Sequence, residues 1–180
     1  MSKFTWKKEE VPHNLEIRQV YGVVFSEDGN ILLRVDDNKY KLTGGKPELD
    51  DANLEETLKR EYIEELNVEI KDIYYLGYLL VEDDTKNKYA QVRMIARVKS
   101  IGDIKPDKDN GKIYKRFMAN IENVKSYLNY PDLAGNKLID DAIIMAKKKY
   151  NLNFSNNEYF IWFLNCLIWT RNRKKITKYY

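Results

Sequence analysis

Residues 60–66, Arg-Glu-Tyr-Ile-Glu-Glu-Leu, constrain the fold most, because in a helix they place three carboxylates on one side. Residues three and four apart are neighbours on a helix surface, so Glu61 lies beside both Glu64 and Glu65. Helical geometry puts the three side chains within an arc of about 100°. The opposite side carries residues that can anchor the helix in a core, namely Leu58, Tyr62, Ile63 and Leu66.

The crowding of these carboxylates favours a bound cation. Like charges at this spacing cost about 0.2–0.5 kcal/mol per pair. Magnesium is a hard cation with oxygen ligands, so binding it would turn that cost into a stabilising interaction. Gly44–Gly45 lies upstream, where a turn would let backbone carbonyls approach the same cation. The segment therefore predicts a site for phosphate chemistry.

Patterns along the chain predict strands and helices that interleave. Asp51 or Asn53 is suited to cap the acidic helix, which we expect over residues 54–66, and Asn67 is suited to end it in the left-handed conformation. Since strands and helices alternate, an α/β or α+β layered domain follows, and we assign it to residues 1–150. We expect strands at 20–25, 31–35, 40–42, 73–81, 89–99 and 113–119, and further helices at 122–128 and 136–150.

Composition narrows the class of protein. The chain has 180 residues and a net charge of +3, and five basic residues with no acid stand in the last ten positions. The rest of the chain is nearly neutral, so it shows no basic face for nucleic acid. Cys166 is the only cysteine, which excludes an internal disulfide, and the first eleven residues lack a secretory pattern. These features predict a cytoplasmic protein.

Gly45, Asp51 and residues 60–68 together resemble the Nudix box. That family's pattern is Gly, five residues, Glu, seven residues, then Arg-Glu-apolar-any-Glu-Glu-any-Gly-apolar. The Arg-Glu-x-x-Glu-Glu portion matches in full. Stretches 75–78 and 89–94 are similar to a group of small bacterial Nudix proteins, and 107–116 adds to this likeness.

The resemblance implies an α/β/α sandwich with a mixed central sheet. It also implies a hydrolase that uses Mg²⁺ or Mn²⁺ to cleave the pyrophosphate bond of a nucleoside diphosphate-linked substrate, such as a (d)NTP or an ADP-linked compound. Glu61, Glu64 and Glu65 would be metal ligands, with the Gly44 carbonyl. Glu61, Glu64 or an acidic residue of a later loop would activate water, and Arg60 would orient the cluster.

Three positions depart from the family pattern. Arg60 lies 15 positions after Gly45, against 14 in the pattern, which places one inserted residue in the 47–53 loop. Asp51 stands near the first glutamate, with Asp50 and Glu48 as competitors. Asn67 replaces the last glycine. The alternative interpretation is therefore a Nudix-fold module that binds a nucleotide and senses it with little or no turnover.

Three further sets of residues admit more than one interpretation. Gln91 and Arg93 share a strand face with Tyr89, so they are suited to bind phosphate and base while Tyr89 stacks on the base; an exposed strand face is an equal alternative. Acidic residues at 82–84, 103, 107 and 109 are interpreted as turn residues, and the alternative is that one of them lends a further carboxylate to the site. Residues 151–180 form an apolar, then basic extension, and we expect 158–170 to pack on the domain. A homodimer contact and peripheral membrane contact are the alternatives.

Overall fold

The structure is a computed structural model that describes residues 2–130 and 132–152. Strands and helices interleave along this part of the chain, as the sequence predicted. The strands are β1 (Lys3–Lys7), β2 (Ile17–Phe25), β3 (Ile31–Asp36), β4 (Lys39–Lys41), β5 (Gly44–Gly45), β6 (Val68–Glu82), β7 (Lys88–Ile101) and β8 (Lys115–Ala119). The helices are α1 (Leu54–Leu66), α2 (Val124–Leu128) and α3 (Leu133–Tyr150).

All of these strands belong to one mixed sheet. The strand order is β1-β6-β7-β2-β3-β4, with β5 added beside β2 and β8 beside β3. Strands β2 and β7 run parallel, with Val20 opposite Val92, and the other pairs are antiparallel. A parallel pair inside an otherwise antiparallel sheet is what makes the sheet mixed, as predicted.

Alternation along the strands builds two cores, one on each face of the sheet. Leu58, Tyr62 and Leu66 of α1 pack against Val20 and Val24 on one face. Leu138, Ile139 and Ala142 of α3 pack on the other, where Val23, Phe25 and Ile95 point. Successive side chains of a strand point to opposite faces, which explains why neighbours in β2 serve different cores. The predicted α/β/α sandwich is confirmed.

Helix α1 has the bounds that the sequence predicted. Asn53, not Asp51, is its N-cap: the Asn53 side chain accepts hydrogen bonds from the backbone N–H groups of Glu55 and Glu56. Asn67 ends the helix with φ 48° and ψ 50°, in the left-handed conformation that asparagine tolerates. The inserted residue in the 47–53 loop therefore leaves the register of the three glutamates unchanged.

Two strands and one side chain are among the differences from expectation. Strand β1 was not predicted, and its register with β6, for example Thr5 opposite Leu80, joins segments 75 positions apart that local patterns cannot connect. Strand β6 begins at Val68 rather than 73, since a register shift after Lys71 and a positive φ of 53° at Asp72 break the alternation. Ile63 is half-buried rather than in the core.

Helix α3 ends at Asn151, whose φ of 51° is left-handed. The Tyr150 hydroxyl at this end donates a hydrogen bond to the Asp72 carbonyl at 2.8 Å. The predictions for residues 158–170, for Cys166 and for the basic last ten residues lie outside the described residues, and the domain boundary at 150 stays a prediction. Within the described ranges, no helix has both the length and the apolar character needed to cross a membrane.

Candidate active site

Arg60 is the centre of the acidic cluster. Its Nε and Nη2 donate to the two oxygens of Asp51 at 3.1 and 3.2 Å. Its Nη1 donates to Glu61 Oε1 at 3.0 Å and to Glu64 Oε2 at 2.9 Å. Such charge-assisted bonds are stronger than neutral ones, and a planar guanidinium can make several at once. Arg60 thus fixes the orientation of Glu61 and Glu64 and ties α1 to the 47–53 loop.

Among the three acidic residues considered near the first glutamate of the Nudix pattern, Asp51 makes the closest contact with Arg60. Its side chain is 8% exposed. Glu48 reaches Arg60 Nη1 at 3.3 Å, but its side chain is 55% exposed. The Arg60 hydrogen bond lowers the pKa of Asp51 to about 2, so this carboxyl is ionised at neutral pH. Asp51 therefore supports Arg60 from outside the helix.

The Gly44–Gly45 turn lies against Glu61. A Cβ atom at Gly45 would overlap the Glu61 carboxylate, so the absence of a side chain is what allows this approach. Gly44 has φ +151°, a backbone conformation that favours glycine. Burial raises the pKa of Glu61, although the charge of Arg60 opposes that shift. The Gly44–Gly45 turn is thus in direct contact with α1 at Glu61.

Glu65 faces a different partner, Arg34 of β3, and the two form an ion pair. Their side chains are 9% and 14% exposed. The Arg34 guanidinium also lies over the Tyr114 ring, 4.6 Å from its centroid. Glu65 Oε2 is buried without a hydrogen-bond partner, a costly state that a cation would relieve. Sequence reasoning missed Arg34, because an arginine in an apolar strand 31 positions away gives no local signal.

The three glutamates do not converge on one point in this arrangement. Over residues 2–130 and 132–152, no three acidic, histidine or cysteine side chains are grouped to hold a metal. The reason is that Arg60 attracts Glu61 and Glu64 while Arg34 attracts Glu65. The oxygen ligands available here nevertheless fit a hard cation. They are carboxylate oxygens, one of which is buried without a hydrogen-bond partner, and they lie beside the Gly44–Gly45 turn.

A cavity of about 380 Å³ is linked to Glu65 through Arg34. Arg34 lines it as well as pairing with Glu65, and Tyr21 lines it as well as packing against Gly44. Gln91 and Arg93 also face it, as two of the predicted substrate-binding residues. The remaining lining residues are Tyr40, Lys41, Leu42, Leu128 and Tyr130. The pocket is therefore aromatic and cationic, and its tyrosines come from separate elements that no sequence motif joins.

The third predicted substrate-binding residue, Tyr89, lies elsewhere. It is absent from the lining of this cavity, and its ring is covered by the Arg18 guanidinium, 4.4 Å from the centroid. Arg18 lies on β2, which runs parallel to β7, the strand that carries Tyr89. The two side chains form a pair near the surface. The structure thus separates Tyr89 from Gln91 and Arg93.

The other acidic residues are mostly turn residues. Asp83 Oδ1 accepts hydrogen bonds from the backbone N–H groups of Thr85 and Asn87 at the β6–β7 hairpin tip. Asp107 is buried and holds the next loop by accepting from the N–H groups of Asp109 and Asn110. The charge of Asp109 adds to the rise in the pKa of Glu61, which follows mainly from burial, so this loop lies near the cluster.

Fold and site together define a mixed α/β/α sandwich with an acidic helix beside a glycine turn. The NUDIX domain family matches residues 16–139. The chain belongs to the Nudix family, and the predicted class, a Nudix hydrolase, is confirmed.

Solved structures agree with this placement. A variant of the Bacillus subtilis pyrophosphohydrolase BsRppH is 19% identical with a TM-score of 0.62, covering 78% of this chain and 89% of that one. MutT, from work on the Aliivibrio salmonicida and Vibrio cholerae proteins, is 16% identical with a TM-score of 0.52, covering 71% and 96%. A NUDIX hydrolase from Nitrosomonas europaea is 18% identical with a TM-score of 0.52, covering 70% and 88%. At these identities the likeness concerns the fold. No curated protein sequence matches significantly.

Proposed function

We propose that this Nudix protein hydrolyses the pyrophosphate bond of a nucleoside diphosphate-linked substrate, a (d)NTP or an ADP-linked compound. One observation carries the proposal: Arg60 holds Asp51, Glu61 and Glu64 together against the Gly44–Gly45 turn. Glu61 and Glu64 are neighbours on the helix and repel each other, and the single positive charge of Arg60 offsets only part of the three negative charges. The adjoining aromatic and cationic pocket suits a nucleotide.

We assign the metal site to Glu61, Glu64, Glu65 and the Gly44 carbonyl. Their hard oxygen donors suit Mg²⁺, with Mn²⁺ as a substitute. A bound divalent cation supplies neutralisation of phosphate charge and acidification of water. Glu65 brings the buried, unpartnered Oε2, and Glu61 brings a partly desolvated carboxylate.

The protein side chains have distinct roles in this reaction. Glu61 or Glu64 accepts the proton of the attacking water as its oxygen bonds to phosphorus and the bond to the bridging oxygen breaks. Arg60 keeps both carboxylates in position, and Asp51, ionised at neutral pH, keeps Arg60 in position. Gln91 and Arg93 bind the rest of the substrate, next to the rings of Tyr21 and Tyr130.

A nucleotide-binding sensor without turnover is the second candidate function. The observation that favours it is the engagement of Glu61 and Glu64 by Arg60, which leaves the three glutamates apart. A substrate panel distinguishes the two functions: (d)NTPs and ADP-linked compounds with Mg²⁺, Mn²⁺ or EDTA, followed by phosphate and pyrophosphate release. Metal-dependent product supports the hydrolase, and saturable binding without product under any divalent metal supports the sensor.

We place this activity in the cytoplasm, on the strength of the single cysteine at position 166. A homodimer through residues 158–170 stays an alternative to packing of that segment on the domain. Size-exclusion chromatography with light scattering separates these states.

A further inference from the structure

We infer that the cavity beside the Gly44–Gly45 turn binds a second anionic group of the substrate, a phosphate on its leaving moiety, and that Arg93 recognises it. This inference rests on the hydrolase function proposed above. It narrows the substrate to diphosphates whose organic portion carries a further phosphate.

The first support is the state of Arg93, a charged side chain that is 5% exposed. Among the residues that the structure describes, its guanidinium donates only to neutral oxygens: the Gln91 carbonyl at 3.2 Å, the Val92 carbonyl at 3.1 Å and Gln91 Oε1 at 3.0 Å. Its Nε is buried without any partner. No carboxylate of the described ranges forms an ion pair with it, although buried charges are normally paired. Arg93 thus faces the cavity with an uncompensated positive charge.

The neighbours of Arg93 in the cavity strengthen this argument. The two other cations are already neutralised, Arg34 by Glu65 and Lys41 by Asp36. The Tyr21 ring lies 4.5 Å from the Arg93 guanidinium, which stabilises the cation but does not balance its charge.

Two tyrosine hydroxyls complete the pocket as hydrogen-bond donors. Burial raises the pKa of Tyr21 and of Tyr130, so both hydroxyls keep their protons at neutral pH. Both residues line the cavity that Arg93 faces. A cation with protonated hydroxyls beside it matches the oxygens of a phosphate, whereas a neutral base would leave the charge of Arg93 unbalanced.

The position of the cavity fixes which part of the substrate it receives. Tyr21 packs against Gly44, and Arg34 joins the cavity to Glu65. A diphosphate bound at the acidic cluster can therefore extend its organic portion past Arg34 and Tyr21 into the cavity. At about 380 Å³, the cavity lies near the lower end of ligand sites, which span about 300–1,000 Å³. A phosphorylated sugar suits this size.

The first experiment measures binding of inorganic phosphate by calorimetry in EDTA, where hydrolysis cannot proceed. Wild-type protein should bind saturably, and Arg93→Met should weaken binding at least tenfold. Met has similar length and removes a buried unpaired charge, so we expect the fold to persist; Arg93→Lys keeps the charge and should bind with intermediate affinity. Lys99→Gln is the matched control, since it removes an exposed charge from the same strand, β7. Absence of phosphate binding, or equal binding by Arg93→Met, overturns the inference.

The second experiment compares substrates that differ by one phosphate, coenzyme A with dephospho-coenzyme A and NADPH with NADH. Wild-type kcat/KM should favour the phosphorylated member at least tenfold in one pair, and Arg93→Met should reduce that ratio to within about twofold. Equal kcat/KM within both pairs, or no turnover of either phosphorylated compound, overturns the substrate assignment. Glu64→Gln separates the two proposals: it should lose turnover yet bind inorganic phosphate as wild type does.

Discussion

Arg34 of β3 and Glu65 of α1 form a largely buried ion pair, which joins the acidic helix to the cavity lined by Arg93 and Tyr21. Glu65 belongs to the carboxylates that we assign to metal binding, while Arg34 lines the cavity beside Tyr21 and Arg93. This ion pair therefore connects the carboxylates that we assign to metal binding with the cavity. It also ties α1 to β3, a strand inside the sheet.

Breaking this ion pair on one side should destabilise the fold. Arg34→Met is expected to cost about 3–5 kcal/mol, because it leaves the Glu65 carboxylate buried without a counter-charge. Arg34→Met combined with Glu65→Leu should recover much of that loss, since apolar residues of similar volume can replace a buried pair. Urea denaturation measures both. As a control, Lys99→Gln breaks an exposed pair with Glu69 and should cost at most about 1 kcal/mol. A cost below about 1 kcal/mol for Arg34→Met would contradict this account.

The Asp51–Arg60 contact should show itself in the pH dependence of stability. The pKa of Asp51 falls from 3.8 to about 2 in the folded protein, mainly through the Arg60 hydrogen bond. Its stabilising contribution is thus complete above about pH 4 and is lost as the pH falls through about 2. Asp51→Asn should be less stable than wild type at neutral pH, and the gap should close between pH 4 and 2. A gap that is constant over that window would argue against the lowered pKa.

Local patterns predicted α1 well because every signal for it lies within fifteen residues. Asn53 caps it, Asn67 ends it, and the spacing of Leu58, Tyr62 and Leu66 identifies its buried side. The same patterns predicted strands on both sides of the helix, but Gly44–Gly45 was predicted as a turn and forms β5, and β6 begins at Val68 rather than 73. The family resemblance implied the order of layers. The structure decided the cap between Asp51 and Asn53 and showed that Ile63 is only half-buried.

The substrate side of the site was harder to predict, because it depends on contacts between distant segments. Arg34 looks like an ordinary strand residue until the sheet brings it to Glu65. Tyr21 and Tyr130 are more than 100 positions apart and meet only at the cavity. Tyr89 shares the alternation of Gln91 and Arg93, yet the neighbouring strand supplies Arg18 to cover its ring. Periodicity gives the face of a strand but not what lies over it.

The close approach of Gly45 to Glu61 predicts a substitution that affects activity more than stability. In Gly45→Ala the new methyl group would displace the Glu61 carboxylate, which ends a flexible side chain and can move at small cost. Turnover should fall at least about tenfold, as expected when a group that supports metal binding is displaced, with only a small change in Tm. Gly111→Ala is the comparison: its Cβ would enter open space at φ +70°, so strain alone would lower Tm while turnover stays near wild type. Full activity of Gly45→Ala would show that the position of Glu61 does not matter.

The central claim is that the carboxylates held by Arg60 carry out hydrolysis, and Glu64→Gln tests it most directly. Glu56→Gln is the matched control, on the same helix but 46% exposed and paired with Lys59. Phosphate and pyrophosphate release from the best substrate is measured at saturating Mg²⁺, with circular dichroism to show that both variants fold. We predict a loss of at least about a hundredfold in kcat for Glu64→Gln and near wild-type turnover for Glu56→Gln. Wild-type turnover by folded Glu64→Gln would contradict the account.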